Sequence, residues 1–180
     1  MQPVVWQREG KIPQSVANPP QQEQEFETLL RSHRGIIFKI VNTYCWDEQD
    51  RADLAQEVVA QLWRAWPRYD SARAFTTWMY RIALNVAISY VRKEAQRRGR
   101  SVALDEELHD TSAEEQRNDD EERTLRLRQF IERQAPLDRA LLVLYLEDKS
   151  QKEIAEILGI TPTNVSTKIN RLKQKIRDEV

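Results

Sequence analysis

The stretch from residue 150 to residue 162 contains the signals for one helix to begin and end and for a second helix to begin. Ser150 and Glu153 form an S-x-x-E capping box, in which each side chain satisfies a backbone N–H group at the start of a helix. Gly159 suits the left-handed residue that ends many helices, and Thr161 followed by Pro162 is typical of the start of the next one. Because apolar residues keep helical spacing on both sides of this turn, the sequence predicts a helix-turn-helix motif.

Apolar residues also recur at helical spacing through the first hundred residues. Those between residues 26 and 41 mark one or two helices, with an interruption near Gly35. A second set predicts a helix from about Asp50 that Pro67 ends, because proline cannot continue the hydrogen-bond ladder; its members are Leu54, Val58, Leu62 and Trp66. A third set predicts a long helix, and its members are Phe75, Met79, Ile82, Val86 and Tyr90. The chain is therefore predicted to be all-α.

Charge is unevenly distributed along the chain, although the formal net charge is only −1. Residues 101–122 contain ten acidic residues against the single Arg117 and few apolar ones. Such a composition cannot bury enough surface to offset the entropy lost on ordering. Basic residues predominate on both sides, at 92–100 and at 149–177, as they do on nucleic-acid-binding surfaces. We predict two small helical domains joined by a flexible acidic linker: a tail at 1–22, a first module at 23–100, the linker at 101–122 and a second module at 123–180.

Several classes of protein are excluded by what the sequence lacks. The chain has only four glycines and neither a G-x-G-x-x-G nor a G-x-x-x-x-G-K-[ST] run, which argues against dinucleotide-binding and P-loop enzymes. It has no apolar run long enough to cross a membrane and no secretory signal at its start. The single Cys45 fits a reducing cytoplasm, and we expect it to be a small buried residue. We expect neither a metal nor another cofactor.

Two helices of the first module carry polar residues away from their apolar stripes. The second helix has such a face at Asp53, Gln56, Glu57 and Arg64. It is consistent either with a solvated surface or with a docking face for a basic partner. The long helix interleaves aromatic, basic and amide side chains at Trp78, Tyr80, Arg81, Asn85 and Arg92. Such groups can stack on unpaired bases and follow phosphates, but Trp78 and Tyr80 could equally pack against neighbouring helices.

The last helix of the second module has an apolar stripe and an opposite surface without acidic residues. The polar positions are Thr163, Asn164, Ser166, Thr167, Lys168, Asn170, Arg171 and Gln174. All of them can donate hydrogen bonds to phosphates or base edges. Arg171 is the best candidate for a bidentate contact with guanine, and Asn164 or Asn170 for a contact with adenine.

Three segments taken together resemble the sigma-70 family of bacterial RNA polymerase sigma factors, and in particular its small extracytoplasmic-function (ECF) group. They are residues 50–59 (DRADLAQEVV), 75–86 (FTTWMYRIALNV) and 152–160 (KEIAEILGI). Their order and spacing extend the resemblance over residues 24–177. The resemblance implies a cytoplasmic, non-enzymatic factor that binds core RNA polymerase and promoter DNA. Such a factor recognises promoters by their −35 and −10 elements and promotes DNA melting.

The resemblance also implies roles for individual residues. The residues expected to dock on the β′ clamp helices of core polymerase are Asp53, Gln56, Glu57 and Arg64. The residues expected to capture a flipped-out base of the −10 element and to melt that element are Tyr69, Asp70, Ser71, Arg73, Phe75, Trp78, Arg81 and Asn85. The residues expected to read the −35 element in the major groove are Thr163, Asn164, Ser166, Thr167, Lys168, Asn170 and Arg171. Further implied partners are the β flap of the polymerase and an anti-sigma factor.

The chain departs from the family pattern at two places, and two other functions stay open. Asp148 and Lys149 stand where family members often have a glycine, and the recognition helix (TNVSTKINRL) lacks a Lys-Ser-Arg run found in many of them. One rival is a dimeric helix-turn-helix repressor or activator, which would leave the polar faces of the first module without a role. The other is a metal-dependent nuclease using acids such as Asp105, Glu106 and Asp110, which a flexible segment could not hold in a two-metal geometry.

Overall fold

A computed structural model of the protein describes residues 19–100 and 119–179, and these residues form helices without any β-strand. The described α-helices are α1 (Pro19–Ser32), α2 (Arg34–Tyr44), α3 (Glu48–Ala65), α4 (Phe75–Arg100), α5 (Asp119–Arg133), α6 (Pro136–Leu146), α7 (Gln151–Leu158) and α8 (Pro162–Glu179). A single 3-10 turn, Trp66–Arg68, follows α3. The predicted all-α fold is confirmed. Within the described ranges, no helix has the length and apolar character needed to cross a membrane.

The chain divides into two compact units, residues 1–32 and residues 33–180. Of the first unit the structure describes α1, which begins with two prolines. Proline is tolerated there because the first backbone N–H groups of a helix have no partner within it. The last four residues of the predicted tail, 19–22, are therefore helical. Residues 1–18 of that tail lie outside the described residues.

The α2–α4 bundle, residues 34–100, has a well-buried apolar core. Its fully buried side chains include Ile40, Leu54, Val58, Leu62 and Met79. Asp47 caps α3, because its Oδ1 accepts hydrogen bonds from the N–H groups of Gln49 at 2.8 Å and Asp50 at 3.2 Å. The predicted interruption near Gly35 occurs at His33, and Gly35 itself lies in the first turn of α2.

The α5–α8 bundle, residues 119–179, contains the predicted helix-turn-helix in α7 and α8. Ser150 Oγ accepts a hydrogen bond from the Glu153 N–H at 3.2 Å, and Glu153 Oε2 accepts one from the Ser150 N–H at 2.9 Å. Gly159 has a φ of 68°, at which the backbone of a residue with a side chain would be strained. Thr161 Oγ1 accepts from the Asn164 N–H at 3.2 Å at the start of α8. Both predicted helix starts and the stop between them are confirmed.

Helix α6 ends in a left-handed residue that is not glycine. Asp148 has a φ of 53°, and its N–H donates to the carbonyl of Tyr145 at 3.1 Å. The next N–H, of Lys149, donates to the carbonyl of Leu144 at 3.1 Å. These two bonds form a Schellman motif, in which glycine is the usual left-handed residue. Aspartate is among the few other residues that adopt this conformation routinely.

The acidic segment differs from the expected linker at its C-terminal end. Helix α5 begins at Asp119, so residues 119–122 are helical, and Glu122 binds Arg126 one turn further along at 2.5 Å. Residues 101–118 lie outside the described residues. The two bundles also belong to one compact unit, in which α2 and α4 contact α6 and α7. The sequence predicts two helical domains and a linker but says nothing of packing between the domains, because contacts between distant segments leave no local signal.

Candidate nucleic-acid and polymerase interfaces

Four aromatic rings pack together where α3 ends and α4 begins. We call Trp66, Tyr69, Phe75 and Trp78 the aromatic cluster. All six pairs of rings have centroids 5.0–6.3 Å apart, and Trp66 and Tyr69 are stacked at an interplanar angle of 16°. Trp66 and Phe75 are buried, whereas Tyr69 and Trp78 are half-buried. The cluster therefore presents two partly exposed rings on an apolar base.

The loop between the 3-10 turn and α4 is held by its own hydrogen bonds. The Tyr69 hydroxyl donates to the carbonyl of Arg73 at 2.7 Å. Asp70 Oδ1 accepts from the N–H of Ala72 at 3.0 Å, and the Asp70 carbonyl accepts from the N–H of Arg73 at 2.9 Å. These bonds form a compact turn whose residues Asp70, Ser71 and Arg73 are exposed. The turn gives the aromatic cluster a polar rim.

Trp78, Arg81 and Asn85 lie on one face of α4, at spacings of three and four residues. This face extends the exposed edge of the aromatic cluster by about 10 Å, from the rise of 1.5 Å per residue. Tyr80 behaves differently, because it is only 2% exposed and its hydroxyl donates to Glu147 Oε2 of α6 at 3.1 Å. Of the two alternatives that the sequence left open, packing therefore applies to Tyr80, while Trp78 keeps part of its ring accessible.

The outer face of α3 carries the residues predicted to dock on polymerase. Asp53, Gln56, Glu57 and Arg64 are all exposed. The apolar stripe of the same helix, including Leu54, is fully buried on the other side. Glu57 Oε1 accepts from Gln61 Nε2 at 2.6 Å and lies 3.8 Å from Arg64 Nη1. Because these partners belong to the same helix, the face is open to a further protein.

Helix α8 buries Val165, Ile169 and Leu172 and presents polar residues outward. Among the predicted −35 readers, the exposed ones are Thr163, Asn164, Thr167, Asn170 and Arg171, and the half-buried ones are Ser166 and Lys168. The Thr167 hydroxyl donates to the carbonyl of Thr163 at 3.0 Å. The methyl group of Thr167 and the acceptor lone pairs of its hydroxyl therefore remain available to a partner.

Two of the predicted −35 readers also bind within the protein. Lys168 Nζ lies 3.2 Å from Asp138 Oδ1, and Arg171 Nη2 lies 3.1 Å from Asp138 Oδ2. Asp138 lies in the first turn of α6, so this carboxylate joins α6 to α8. The Arg171 side chain nevertheless stays 56% exposed, against 27% for Lys168.

Glu147, at the C-terminus of α6, takes part in the contact between the two bundles. It forms an ion pair with Lys39 of α2 and accepts a hydrogen bond from the hydroxyl of Tyr80 of α4. Burial acts to raise the pKa of Glu147, but the hydrogen bonds from Lys39 and Tyr80 outweigh it, so the pKa lies below its usual range. The Tyr44 hydroxyl adds a hydrogen bond to the carbonyl of Pro136 at 2.6 Å.

One predicted −10 residue lies at this same contact. Arg73 Nη1 is 3.6 Å from Glu156 Oε1 of α7, and both side chains are about half exposed. A carboxylate of the second bundle thus faces a guanidinium that is expected to bind the −10 element. An exposed pair of this kind adds only about 0–1 kcal/mol to stability, so it can be exchanged for another anion.

Several residues of these surfaces were not singled out in the sequence. Trp66 was assigned to the core stripe of α3, although its position next to Pro67 and Tyr69 could have suggested an aromatic turn. His33 lies 5.5 Å from the Phe75 ring, and only the fold brings them together. Trp63 and Phe38 are large apolar side chains that are 46% and 58% exposed. Asp138 and Glu147 act through partners far away in the sequence, which periodicity cannot detect.

Cys45 is a small buried residue, as expected. It is 5% exposed, and burial followed by the nearby Asp50 carboxylate raises its pKa to about 11. The thiol therefore stays protonated at neutral pH, and a thiolate is the form that binds metals and reacts. Within residues 19–100 and 119–179, no group of three or more His, Cys, Asp or Glu residues is placed to hold a metal ion. The acids considered for a nuclease at 105–110 lie outside these ranges.

Two family models match the chain and together cover most of it. Residues 29–98 match sigma-70 region 2, and residues 124–176 match sigma-70 region 4. The first match includes α3, the aromatic cluster and most of α4, and the second includes the helix-turn-helix.

Sequence relatives support the same assignment. The chain is 28% identical over 158 residues to the ECF RNA polymerase sigma factor SigE of Mycolicibacterium smegmatis, covering 85% of this chain and 60% of that one. It is 26% identical to the ECF RNA polymerase sigma factor SigW of Bacillus subtilis, covering 88% of this chain and 90% of the relative. The RNA polymerase sigma-H factor of Pseudomonas aeruginosa is 27% identical, with 86% and 85% covered.

Two solved structures share the fold at low sequence identity. CnrH, in complex with the cytosolic domain of CnrY, has a TM-score of 0.63 at 20% identity and covers 88% of this chain and 92% of its own. The sigma factor RpoE, in complex with the anti-sigma factor NepR from Bartonella quintana, has a TM-score of 0.63 at 16% identity and covers 88% and 95%.

The helical fold and its two matched regions define a transcription initiation factor of RNA polymerase, not an enzyme. The chain belongs to the sigma-70 family and, within it, to the ECF group.

Proposed function

We propose that the chain directs core RNA polymerase to promoters by reading a −35 element as duplex and a −10 element as unpaired bases. The observation that carries the proposal is the contrast between the two exposed surfaces. One surface offers the half-exposed rings of Tyr69 and Trp78, continued by Arg81 and Asn85. The other is a helix-turn-helix whose outer helix is polar on its exposed side and contributes no acidic side chain between Pro162 and Arg177.

The aromatic cluster suits unpaired bases for a physical reason. Separating the strands of DNA costs on average about 1.4 kcal/mol per base step in lost stacking. Stacking of one base on an aromatic side chain returns about 1–3 kcal/mol. Each base captured at Tyr69 or Trp78 would therefore offset roughly one opened step without ATP. Arg81 would neutralise a phosphate of the captured strand, and the turn at Asp70–Arg73 would form the rim of a pocket for a flipped base.

Helix α8 suits an intact major groove. Its first turns carry Thr163, Asn164 and Thr167, and the N-terminal residues of a recognition helix are the ones that reach base edges. Asn170 and Arg171 follow on the same polar surface. Duplex contacts there would fix the position of the protein on DNA, while the base contacts at the aromatic cluster would select the strand to be opened.

The partners follow from the remaining surfaces and from the relatives. The exposed α3 face at Asp53, Gln56, Glu57 and Arg64 would dock on the β′ clamp helices, and the α5–α8 bundle would contact the β flap. An anti-sigma factor would be a further partner, because the sigma factor RpoE was solved with the anti-sigma factor NepR, and CnrH was solved with the cytosolic domain of CnrY. The proposed place of action is the cytoplasm, where RNA polymerase works.

Transcription of a randomised promoter library by core polymerase tests the proposal. With the chain added, we expect transcripts to start at fixed positions downstream of two enriched elements, and without it we expect no such enrichment. Charge reversal at Asp53 and Glu57 serves as the matched control, because it should weaken polymerase binding while leaving the DNA-reading residues intact. A chain that binds duplex operators but gives no start-site selection with core polymerase would support the repressor or activator instead.

A further inference from the structure

Asp138 is the one buried charged residue among the described residues, with 8% of its surface exposed. Its two carboxylate oxygens bind two cations of α8, Lys168 at 3.2 Å and Arg171 at 3.1 Å. The two cations lie three residues apart and therefore on the same side of α8. Asp138 itself lies in the first turn of α6, where the helix dipole favours a negative charge.

A buried carboxylate is stable only when it is paired and hydrogen-bonded. Asp138 meets this condition through residues of the DNA-reading helix alone, since no other partner of its side chain lies within hydrogen-bond distance among the described residues. Arg171, for its part, contributes only Nη2 to the bridge and keeps 56% of its side chain exposed. A guanidinium has five N–H groups, so most of its donors stay available for DNA.

We propose that Asp138 is a positioning residue for promoter recognition, which holds the guanidinium of Arg171 and the ammonium of Lys168 in the orientation that α8 presents to DNA. The inference rests on the proposed function and adds to it a residue that does not itself touch DNA. An unrestrained arginine loses much rotamer freedom when it binds a base edge, whereas a guanidinium already fixed at one end loses less. Asp138 thereby favours bidentate contact with one base over loose contact with any phosphate.

The same carboxylate also lowers the general attraction of α8 for DNA. Lys168 and Arg171 carry two positive charges, and Asp138 cancels one of them. Contacts to phosphate are independent of sequence, and each neutralised phosphate adds about 0.9 to the slope of log affinity against log salt. Loss of Asp138 should therefore strengthen binding to arbitrary duplex DNA and weaken discrimination between sequences. A purely structural role instead predicts weaker binding to arbitrary duplex DNA as well as weaker discrimination between sequences.

The test compares Asp138→Ala, Asp138→Asn and Asp138→Glu in the full chain. Binding to a fluorescent pool of duplexes of randomised sequence gives the salt slope, and library transcription with core polymerase gives the −35 preference. We expect Asp138→Ala to increase the magnitude of the salt slope by about one. We expect it to reduce discrimination at one −35 position on the order of tenfold. Asp138→Glu, which keeps a carboxylate, should restore most of the preference, and Asp138→Asn should not.

Two controls separate positioning from folding and from net charge. Asp178→Ala removes one negative charge from the exposed end of α8 and should leave the −35 preference unchanged. Lys168→Ala keeps the bridge between Asp138 and Arg171, so it should lower the salt slope and reduce the −35 discrimination less than Asp138→Ala does. Should Asp138→Ala melt before the assay temperature, Asp138→Asn and Asp138→Glu decide the question.

The outcomes also separate this inference from the proposed function. No enriched upstream element with the wild-type chain would overturn the proposed function and this inference with it. An enriched element that Asp138→Ala and Asp138→Asn read as sharply as the wild type would overturn the inference alone. Weaker binding to every sequence, together with weaker −35 preference, would reduce Asp138 to a structural residue.

Discussion

Replacement of Trp78 by alanine tests whether the aromatic cluster opens DNA. The ring is half-buried, and its centroid lies 5.0 Å from Tyr69, 5.4 Å from Phe75 and 6.1 Å from Trp66. Loss of one stacked base removes about 1–3 kcal/mol from the open complex. Since about 1.4 kcal/mol is a factor of ten, open complexes should fall by roughly five-fold to 150-fold. Binding to closed duplex through α8 should be almost unchanged.

The same substitution also affects the stability of the fold, and the assay must separate the two effects. Aromatic pairs add about 0.5–1.5 kcal/mol each beyond the area that they bury, so three lost pairs cost about 1.5–4.5 kcal/mol. A domain of ordinary stability, about 5–15 kcal/mol, still folds after such a loss. Trp78→Phe keeps a ring in the cluster and should recover part of the opening. Trp46→Ala, at a 48% exposed tryptophan outside the cluster, is the matched control.

Permanganate reactivity of thymines in the −10 element measures opening, and band shift on closed duplex measures binding. We expect Trp78→Ala to lower thymine reactivity much more than binding to closed duplex. Trp46→Ala should be close to the wild type in both measurements. Equal thymine reactivity in Trp78→Ala and the wild type, at equal occupancy of the promoter, would refute the role of the cluster in strand opening.

Three further results are expected from the structure. Charge reversal at Asp53 and Glu57 should weaken capture of core polymerase at least tenfold, as for lost charge-assisted contacts of about 1.5–3 kcal/mol. Asp148→Gly should raise the free energy of unfolding by about 1 kcal/mol in urea titration, because glycine adopts the φ of 53° without strain. Glu147→Gln should loosen the contact between the bundles and raise the radius of gyration in solution scattering. Acidification of the wild type should do the same, because Glu147 has a lowered pKa and its contribution is lost as pH falls through that pKa.

Each of these expectations has its own control. Asp178→Lys changes the net charge by the same amount as reversal of Asp53 or Glu57 alone. It should leave polymerase capture intact. Asp148→Ala should be less stable than the wild type, since alanine lacks the local hydrogen bonding that helps aspartate adopt a left-handed conformation. An unchanged radius of gyration for Glu147→Gln, at neutral and at acid pH, would show that the ion pair with Lys39 does not hold the bundles together.

The parts of the fold that the sequence predicts are the ones determined by neighbours in the chain. The capping box of Ser150 and Glu153, the left-handed Gly159 and the cap at Thr161 each depend on residues at most five positions away. Helical spacing likewise identified the buried stripe of α3 and the exposed face opposite to it. The interactions that determine these elements are between residues close in the sequence, so a single sequence is enough to predict them.

The start of α5 was missed because its composition has two interpretations. A run of acidic residues is typical of a disordered linker, but acidic residues are also favoured in the first turn of a helix. Glu122 is an acidic residue at the start of a helix, where it pairs with Arg126 of α5. Phe130, which is fully buried, gives α5 the apolar contact that an isolated acidic segment would lack. Only the tertiary structure decides between the two.

The contact between the bundles bears on the order of events in initiation. The −35 and −10 elements lie about 25 base pairs apart by their nominal positions, or on the order of 85 Å at 3.4 Å per base pair. The Tyr80 hydroxyl and the Glu147 carboxylate are 3.1 Å apart, so bundles that read both elements at once cannot keep this contact. The proposed docking residues on α3 make no described contact with α6 or α7, and polymerase could bind them in either arrangement. The proposed roles therefore require the bundles to separate for promoter binding but not for docking of the α3 face on polymerase. Glu147→Gln should accordingly change promoter affinity without altering the loss of polymerase affinity that charge reversal at Asp53 and Glu57 causes.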